Sequence, residues 1–272
     1  MKTLPKDVEV VVNHYLKAFN EKLPDLVESF YIGGSIALDD YHAGKSDVDF
    51  VCLINRDLEI SEMKIIEEVH KEISSKHPKK VLDGSYVLTE QFGKLDEDIG
   101  PTIYFDGKKI KYDGKSGNVG IVTWFILKKY GITLVGKTPE HYIPPIDSND
   151  LVSYVQLNAN TYWANWTERA SKKFSVNGLL TLSGRKVEWG VLGISRLYYT
   201  LHEKDIVSKY DAGKYVLERV PSKFSRILKE ALRIRKGESK SYYRSPFKRR
   251  KDTLLFMKHM IHQFNDKTDL DQ

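Results

Sequence analysis

Asp47 and Asp49 flank Val48 at the head of Val48–Ile54, an apolar run with the composition of a buried strand. Side chains alternate faces along a strand, so these two carboxylates leave the same face and can share a hard cation, while Val48 turns to the buried side. About eleven residues upstream stands the small-residue turn Gly33-Gly34-Ser35, between the apolar Phe30-Tyr31-Ile32 and a short helix expected to begin near Ser35. A turn of this kind lets backbone N–H groups and a hydroxyl approach an anion at a positive helix end. Ser46, directly before the first aspartate, adds a second hydroxyl. A phosphate-sized turn followed by paired, metal-capable carboxylates is what transfer of a nucleotide from a triphosphate requires. Either half alone is a weak signal, and the order and close spacing of both give it force.

The flanking pattern says what positions these groups. Apolar residues at Val8, Val11, Val12, Tyr15, Leu16 and Phe19 have helical spacing within 5–28. A second helix is expected over 61–76 with Ser61 as its N-cap, and a strand over 80–88. The glycine-rich stretch 91–118 predicts loops and a hairpin around Asp106-Gly107. A helix over 119–130 follows, with Lys128 and Lys129 at its C-terminal end and Gly131 closing it. Alternation of helices and strands predicts an α/β (α+β) domain with a mixed sheet over 1–145. The segment 138–147 reads as a linker. Beyond it the pattern is helical, with helices over 151–173, 181–204, 208–219, 221–236 and 246–265, so an all-α helical bundle domain over 146–272 is expected, with a cleft between the two.

Charge divides along the same line. Residues 1–150 hold 19 Lys and Arg against 25 Asp and Glu, a net of −6, and residues 151–272 hold 24 against 12, a net of +12, within an overall +6. Carboxylates for cations and basic groups for phosphates suit a metal–nucleotide site, although a basic half is equally the mark of a nucleic-acid binder. With 41% hydrophobic residues the chain can bury a core. No 18-residue apolar stretch and no secretory leader pattern occurs, so a soluble, cytoplasmic, monomeric protein without a membrane partner is expected. The single cysteine, Cys52, falls inside the apolar run and reads as a buried small hydrophobe.

Gly34-Ser35, then Asp47-Val48-Asp49, resembles the signature of the nucleotidyltransferases of the DNA polymerase β superfamily. More narrowly the chain resembles the aminoglycoside adenylyltransferases that modify spectinomycin or streptomycin. Their helical domain is echoed by Leu192-Gly-Ile-Ser-Arg196-Leu-Tyr-Tyr199, by Ile206-Val-Ser208-Lys209 and by Ala212 through Pro221. The likeness spans roughly 28–237 and implies an adenylyltransferase that uses ATP as co-substrate and Mg²⁺ as cofactor. It implies that Asp47 and Asp49 hold Mg²⁺, that Gly34, Ser35 and Ser46 contact phosphate oxygens, and that Arg196 and Lys209 reach the triphosphate. Asp83 falls where the family has a glutamate that deprotonates the attacking hydroxyl. One methylene shorter, it is expected to act as base, as a further metal ligand or as both, with Glu90 as the alternative if the register slips.

The acceptor implied is a small hydroxyl-bearing aminoglycoside or aminocyclitol, for which Asp83, Asp106, Asp113 and Glu188 are the available carboxylates. Arg185 and Lys186 depart from the acidic and aromatic pattern of streptomycin-modifying relatives. Trp163, Trp166 and Trp189 read as core aromatics at helical spacing, with ring stacking as the functional alternative. Nucleic acid is not the expected partner, since Tyr242, Tyr243 and Arg244 beside Lys248-Arg-Arg-Lys251 read as a solvated basic surface. The rival expectations are an RNA or protein acceptor served by that basic run, and a nucleotide-binding module without turnover.

Overall fold

The computed structural model describes residues 3–95, 98–100, 102–112, 119–172 and 176–265, with the side chain of Asn177 excepted. Asp113, Pro101, Gly114 and Gly117 lie outside the described residues. The chain divides into two compact units, Met1–Ile146 and Asp147–Gln272.

The first unit is a six-stranded mixed sheet: β1 (Val27–Ile32), β2 (Val48–Ile54), β3 (Leu82–Leu88), β4 (Ile103–Phe105), β5 (Ile110–Lys111) and β6 (Ile132–Val135). The strand order is β5-β4-β3-β2-β1-β6. Among the described residues only β2 and β3 run parallel, because the helix α3 (Ile60–Lys76) carries the chain back over the sheet between them. On one face α1 (Lys6–Lys22) and α3 bury Val8, Val12, Phe19 and Ile66 against Phe30, Phe50, Cys52 and Tyr86. Phe30 and Phe50 stack there at 5.1 Å, a pairing worth about 0.5–1.5 kcal/mol beyond its area. On the other face α4 (Ile121–Tyr130) sets Trp124 and Leu127 against Tyr31, Val51, Leu53 and Val87. The alternation along β2 therefore fixes which face carries Asp49. Cys52 is fully buried, and desolvation pushes its thiol well above the usual range.

Several boundaries differ from the sequence expectation. The cap of α3 is Glu59, not Ser61: Glu59 and Glu62 form a reciprocal capping box, and Arg56 fixes Glu62 at 2.7 Å. A strand was not expected at 132–135, yet β6 forms directly after α4 and pairs antiparallel with β1. Its backbone groups find partners on a sheet edge that sequence pattern cannot see. The hairpin at Asp106-Gly107 is present as β4 and β5, with Asp106 Oδ1 accepting from the Lys108 and Lys109 N–H groups. Lys128 donates to the carbonyls of Ile143 and Pro144, tying the end of the unit to α4.

The second unit is helical: α5 (Ser148–Asn158), α6 (Ala164–Ser171), α7 (Val176–Leu180), α8 (Gly184–Glu203), α9 (Lys209–Arg219), α10 (Ser225–Lys236) and α11 (Pro246–Gln263). The helix expected over 151–173 is interrupted by a π-helical turn, Ala159–Trp163, where Asn160 and Thr161 bond back to carbonyls four residues earlier. The wider turn swings Trp163 onto α8 at Gly193, where any side chain would strike the indole. α8 is the central helix, burying Val187, Val191, Ile194 and Leu201 among Phe224, Leu228, Phe256 and Met260. Glu230 is fully buried and holds α10, α11 and the turn before α11 together. It accepts from Arg233 at 3.0 Å, Arg249 at 3.1 Å, Ser241 at 2.8 Å and the Tyr242 N–H at 2.9 Å. Among the described residues no helix is long and apolar enough to cross a membrane.

Candidate active site

Parallel pairing of β2 with β3 places Asp49 and Asp83 side by side in register. Both side chains therefore leave the same face of the sheet, and Asp47, just before β2, is two residues from Asp49 along the chain. The three charges are close enough to act on one another: burial first, then repulsion from Asp49 and Asp47, pushes the Asp83 carboxyl up to about 6. Asp106 raises it slightly more and Lys111 opposes. Asp83 and Asp49 are half-buried, Asp47 is exposed.

The Gly-Gly-Ser turn lies against the same carboxylates. Gly33 donates its N–H to the Asp49 carbonyl at 2.9 Å, which pins the turn to the first residues of β2. Gly34 follows at φ 56°, a left-handed conformation that favours glycine, and a methyl group there would overlap the Asp49 carboxylate. Backbone conformation and available space thus both demand glycine. The helix that follows, α2 (Gly34–Ala37), is a single turn, so its macrodipole is small and any anion contact rests on individual N–H groups and the Ser35 hydroxyl.

Ser46 is 8% exposed. Its Oγ accepts the His42 N–H at 3.0 Å, which leaves its own hydroxyl proton to donate. Lys111 and Asp106 are neighbours of Asp83 that sequence reasoning did not select for this role together. Lys111 pairs with Asp106 at 2.6 Å and donates to Tyr104 Oη at 3.1 Å. That ion pair and two backbone N–H groups hold the Asp106 carboxyl down at about 2 and commit it to the hairpin turn. Only the β4–β5 register brings Lys111 to this end of the sheet, and that register is a long-range fact.

The donor set is all oxygen, the set that suits Mg²⁺, and mutual repulsion among the carboxylates is what a bound cation relieves. Among the described residues no three His, Cys, Asp or Glu side chains are arranged to hold an ion by themselves. Mg²⁺ does not require such a cage, because it keeps waters and takes substrate phosphates as ligands. Asp47, Asp49 and Asp83 fit that role.

Other expected residues lie elsewhere. Glu90 sits in the short 3₁₀ turn Thr89–Gln91 past the far end of β3, and the five residue steps of strand from Asp83 to Leu88 span roughly 17 Å, so it does not join this group. Arg196 lies within α8 and Lys209 opens α9, two helices that pack on each other; both side chains are half-buried. Glu188 lies in the helical unit, 3.8 Å from Arg235, with each side chain 12% exposed. Trp163, Trp166 and Trp189 form one aromatic cluster, with Trp163 and Trp189 centroids 4.7 Å apart and Lys186 4.8 Å over Trp189. The basic run at 248–251 is half consumed inside the unit: Arg249 binds Glu230 and the Leu182 carbonyl, and Arg250 binds the Ala170 and Gly178 carbonyls.

The nucleotidyltransferase domain family matches residues 12–100, and the family described as aminoglycoside adenylyltransferase, C-terminal domain, matches residues 165–261. Among solved structures, the spectinomycin adenyltransferase AAD(9) from Enterococcus faecialis, crystallised with ATP and spectinomycin, is similar at a TM-score of 0.70 and 12% identity. The likeness covers 95% of this chain and 99% of that one, and at this identity it speaks to the fold. No curated protein matches the chain in sequence.

Proposed function

The chain belongs to the aminoglycoside adenylyltransferase-like nucleotidyltransferases, and from that premise we propose that it transfers the adenylyl group of ATP to a hydroxyl of a small aminocyclitol acceptor such as spectinomycin. The observation that carries the proposal is the registered pair Asp49 and Asp83 on adjacent parallel strands, with Gly34 against Asp49.

In this mechanism Gly34, Ser35 and Ser46 donate hydrogen bonds to phosphate oxygens and hold the chain of phosphates in line with the acceptor hydroxyl. Asp47 and Asp49, with Asp83, would hold Mg²⁺, which when bound would neutralise charge on the triphosphate and on the departing pyrophosphate. Asp83 accepts the proton of the attacking hydroxyl at a carboxylate oxygen. In the metal-free protein burial and Asp49 raise its affinity for protons, and a bound cation would lower that affinity again and keep the carboxylate ionised for the proton it accepts. For Arg196 and Lys209 the family likeness alone suggests a role as cations for the triphosphate.

Incubation with ATP, Mg²⁺ and a panel of aminocyclitols and aminoglycosides, monitored for pyrophosphate, tests the proposal. Acceptor-dependent pyrophosphate release that disappears in Asp47→Asn supports it. Silence with every acceptor, in a protein that binds MgATP, would refute the antibiotic acceptor and keep the nucleotide site.

A further inference from the structure

Between the Gly-Ser turn and the first metal-capable aspartate runs a loop, 38–47, whose hydrogen bonds form one continuous chain. The Asp40 N–H donates to the Ser35 carbonyl at 2.9 Å, which anchors the loop on the turn. The Asp40 side chain, 7% exposed, meets His42 Nε2 at 2.9 Å. A carboxylate only accepts, so Nε2 carries the proton. His42 in turn grips Ser46 from both sides of its backbone: its N–H donates to Ser46 Oγ at 3.0 Å and its carbonyl accepts from the Ser46 N–H at 2.9 Å. Ser46 is bonded to Asp47, and the next residue, Val48, donates to the Val81 carbonyl at 2.7 Å as β2 begins. Two left-handed residues, Asp39 at φ 56° and Gly44 at φ 76°, bend the loop into this path.

We propose that His42, clamped by Asp40, is a positioning residue of the nucleotide site: it holds the Ser46–Asp47 corner in register with the Gly34–Ser35 turn. The inference rests on the proposed function above and names a part of the site that neither the signature motif nor the family likeness supplied. The physical ground is the position of Asp47. It precedes β2 rather than lying within it, so along the chain the sheet reaches it through Val48 on one side and the loop reaches it through Ser46 on the other. Ser46 is oriented by His42, and among the contacts described above it is the Asp40 side chain that holds the His42 ring. A carboxylate displaced by a fraction of an ångström loses metal affinity steeply, as does a hydroxyl aimed away from the phosphate.

The test is calorimetric titration with MgATP, without acceptor, of the wild type, His42→Ala, His42→Gln and Asp40→Ala. His42→Ala is expected to weaken MgATP binding about 10- to 100-fold, the range for loss of a group that orients a metal ligand. His42→Gln carries an amide N–H near the position of Nε2–H and should restore affinity to within about 3-fold of wild type, a rescue that loop disorder alone would not show. Asp40→Ala should match His42→Ala, and the double variant should be no weaker than either single one. Wild-type affinity in His42→Ala overturns the proposal, as does a loss that His42→Gln leaves unrepaired. If the wild type itself fails to bind MgATP, the nucleotide site falls, and with it this role for His42.

Discussion

Asp83→Asn should stabilise the protein while destroying its chemistry. The Asp83 carboxyl is pushed from 3.8 up to about 6 by burial and by Asp49 and Asp47. A rise of about two units corresponds to roughly 3 kcal/mol of penalty on the ionised form at about 1.4 kcal/mol per unit. Because the side chain is only half-buried, solvent screening reduces this to about 1–2 kcal/mol. The sign follows from proton uptake. The folded state binds the Asp83 proton more tightly than the unfolded chain, so the associated stability is present below about pH 4 and is lost as pH rises through about 6. Asparagine never pays this penalty. Its advantage should therefore be absent near pH 4 and complete by pH 7.5. At about 2–4 °C per kcal/mol for a unit of this size, the apo variant should melt roughly 2–8 °C higher at pH 7.5. Differential scanning calorimetry of both proteins from pH 4 to 8 measures it. Mg²⁺ should narrow the gap, since a cation relieves the same repulsion in the wild type. An asparagine variant no more stable than wild type at pH 7.5, or one whose gain persists unchanged to pH 4, would refute the idea that three mutually repelling carboxylates meet here.

Two other substitutions test separate parts of the structure. Gly34→Ala forces a side chain into left-handed backbone, about 1–2 kcal/mol, and against the Asp49 carboxylate. MgATP affinity should drop at least about tenfold in titration, and wild-type affinity would mean that the turn is not where Asp49 requires it. Glu230→Ala strips the buried partner from Arg233 and Arg249 and should cost about 3–5 kcal/mol, read as a lowered urea midpoint for the helical unit. The Glu230 carboxyl is held down at about 2 by Arg233 and its other donors against the cost of burial, so this stability is present above about pH 4.5 and is lost as pH falls towards 2. A cost under about 1 kcal/mol, or no acid dependence, would contradict that placement.

The strand behind the site was readable because it rests on short-range rules. The composition of Val48–Ile54 declares it buried and the period of two sets the face of Asp49, whereas Asp47 stands one residue before the strand. The Gly-Gly-Ser turn, the helical periods of α1 and α3 and the hairpin at Asp106-Gly107 are local too. What could not be read depends on pairing at a distance. The register of β2 with β3, which sets Asp83 beside Asp49 and leaves Glu90 at the far end, is fixed by a crossover of nearly thirty residues. β6 gains its identity from β1, a hundred residues away, and has only four residues of its own to signal it. The same holds for charges: Glu188, Glu230, Arg249 and Arg250 look like surface groups in sequence, and their inward pairing depends on which helices meet.

The most direct measurement of the central claim is calorimetric titration of the wild type and Asp49→Asn with ATP, each with Mg²⁺ and with EDTA. If Asp47 and Asp49 grip the nucleotide through a metal, the wild type binds ATP with Mg²⁺ at least about tenfold tighter than without it, and Asp49→Asn loses that difference while keeping its fold. Equal, metal-independent ATP binding by both proteins would contradict the account.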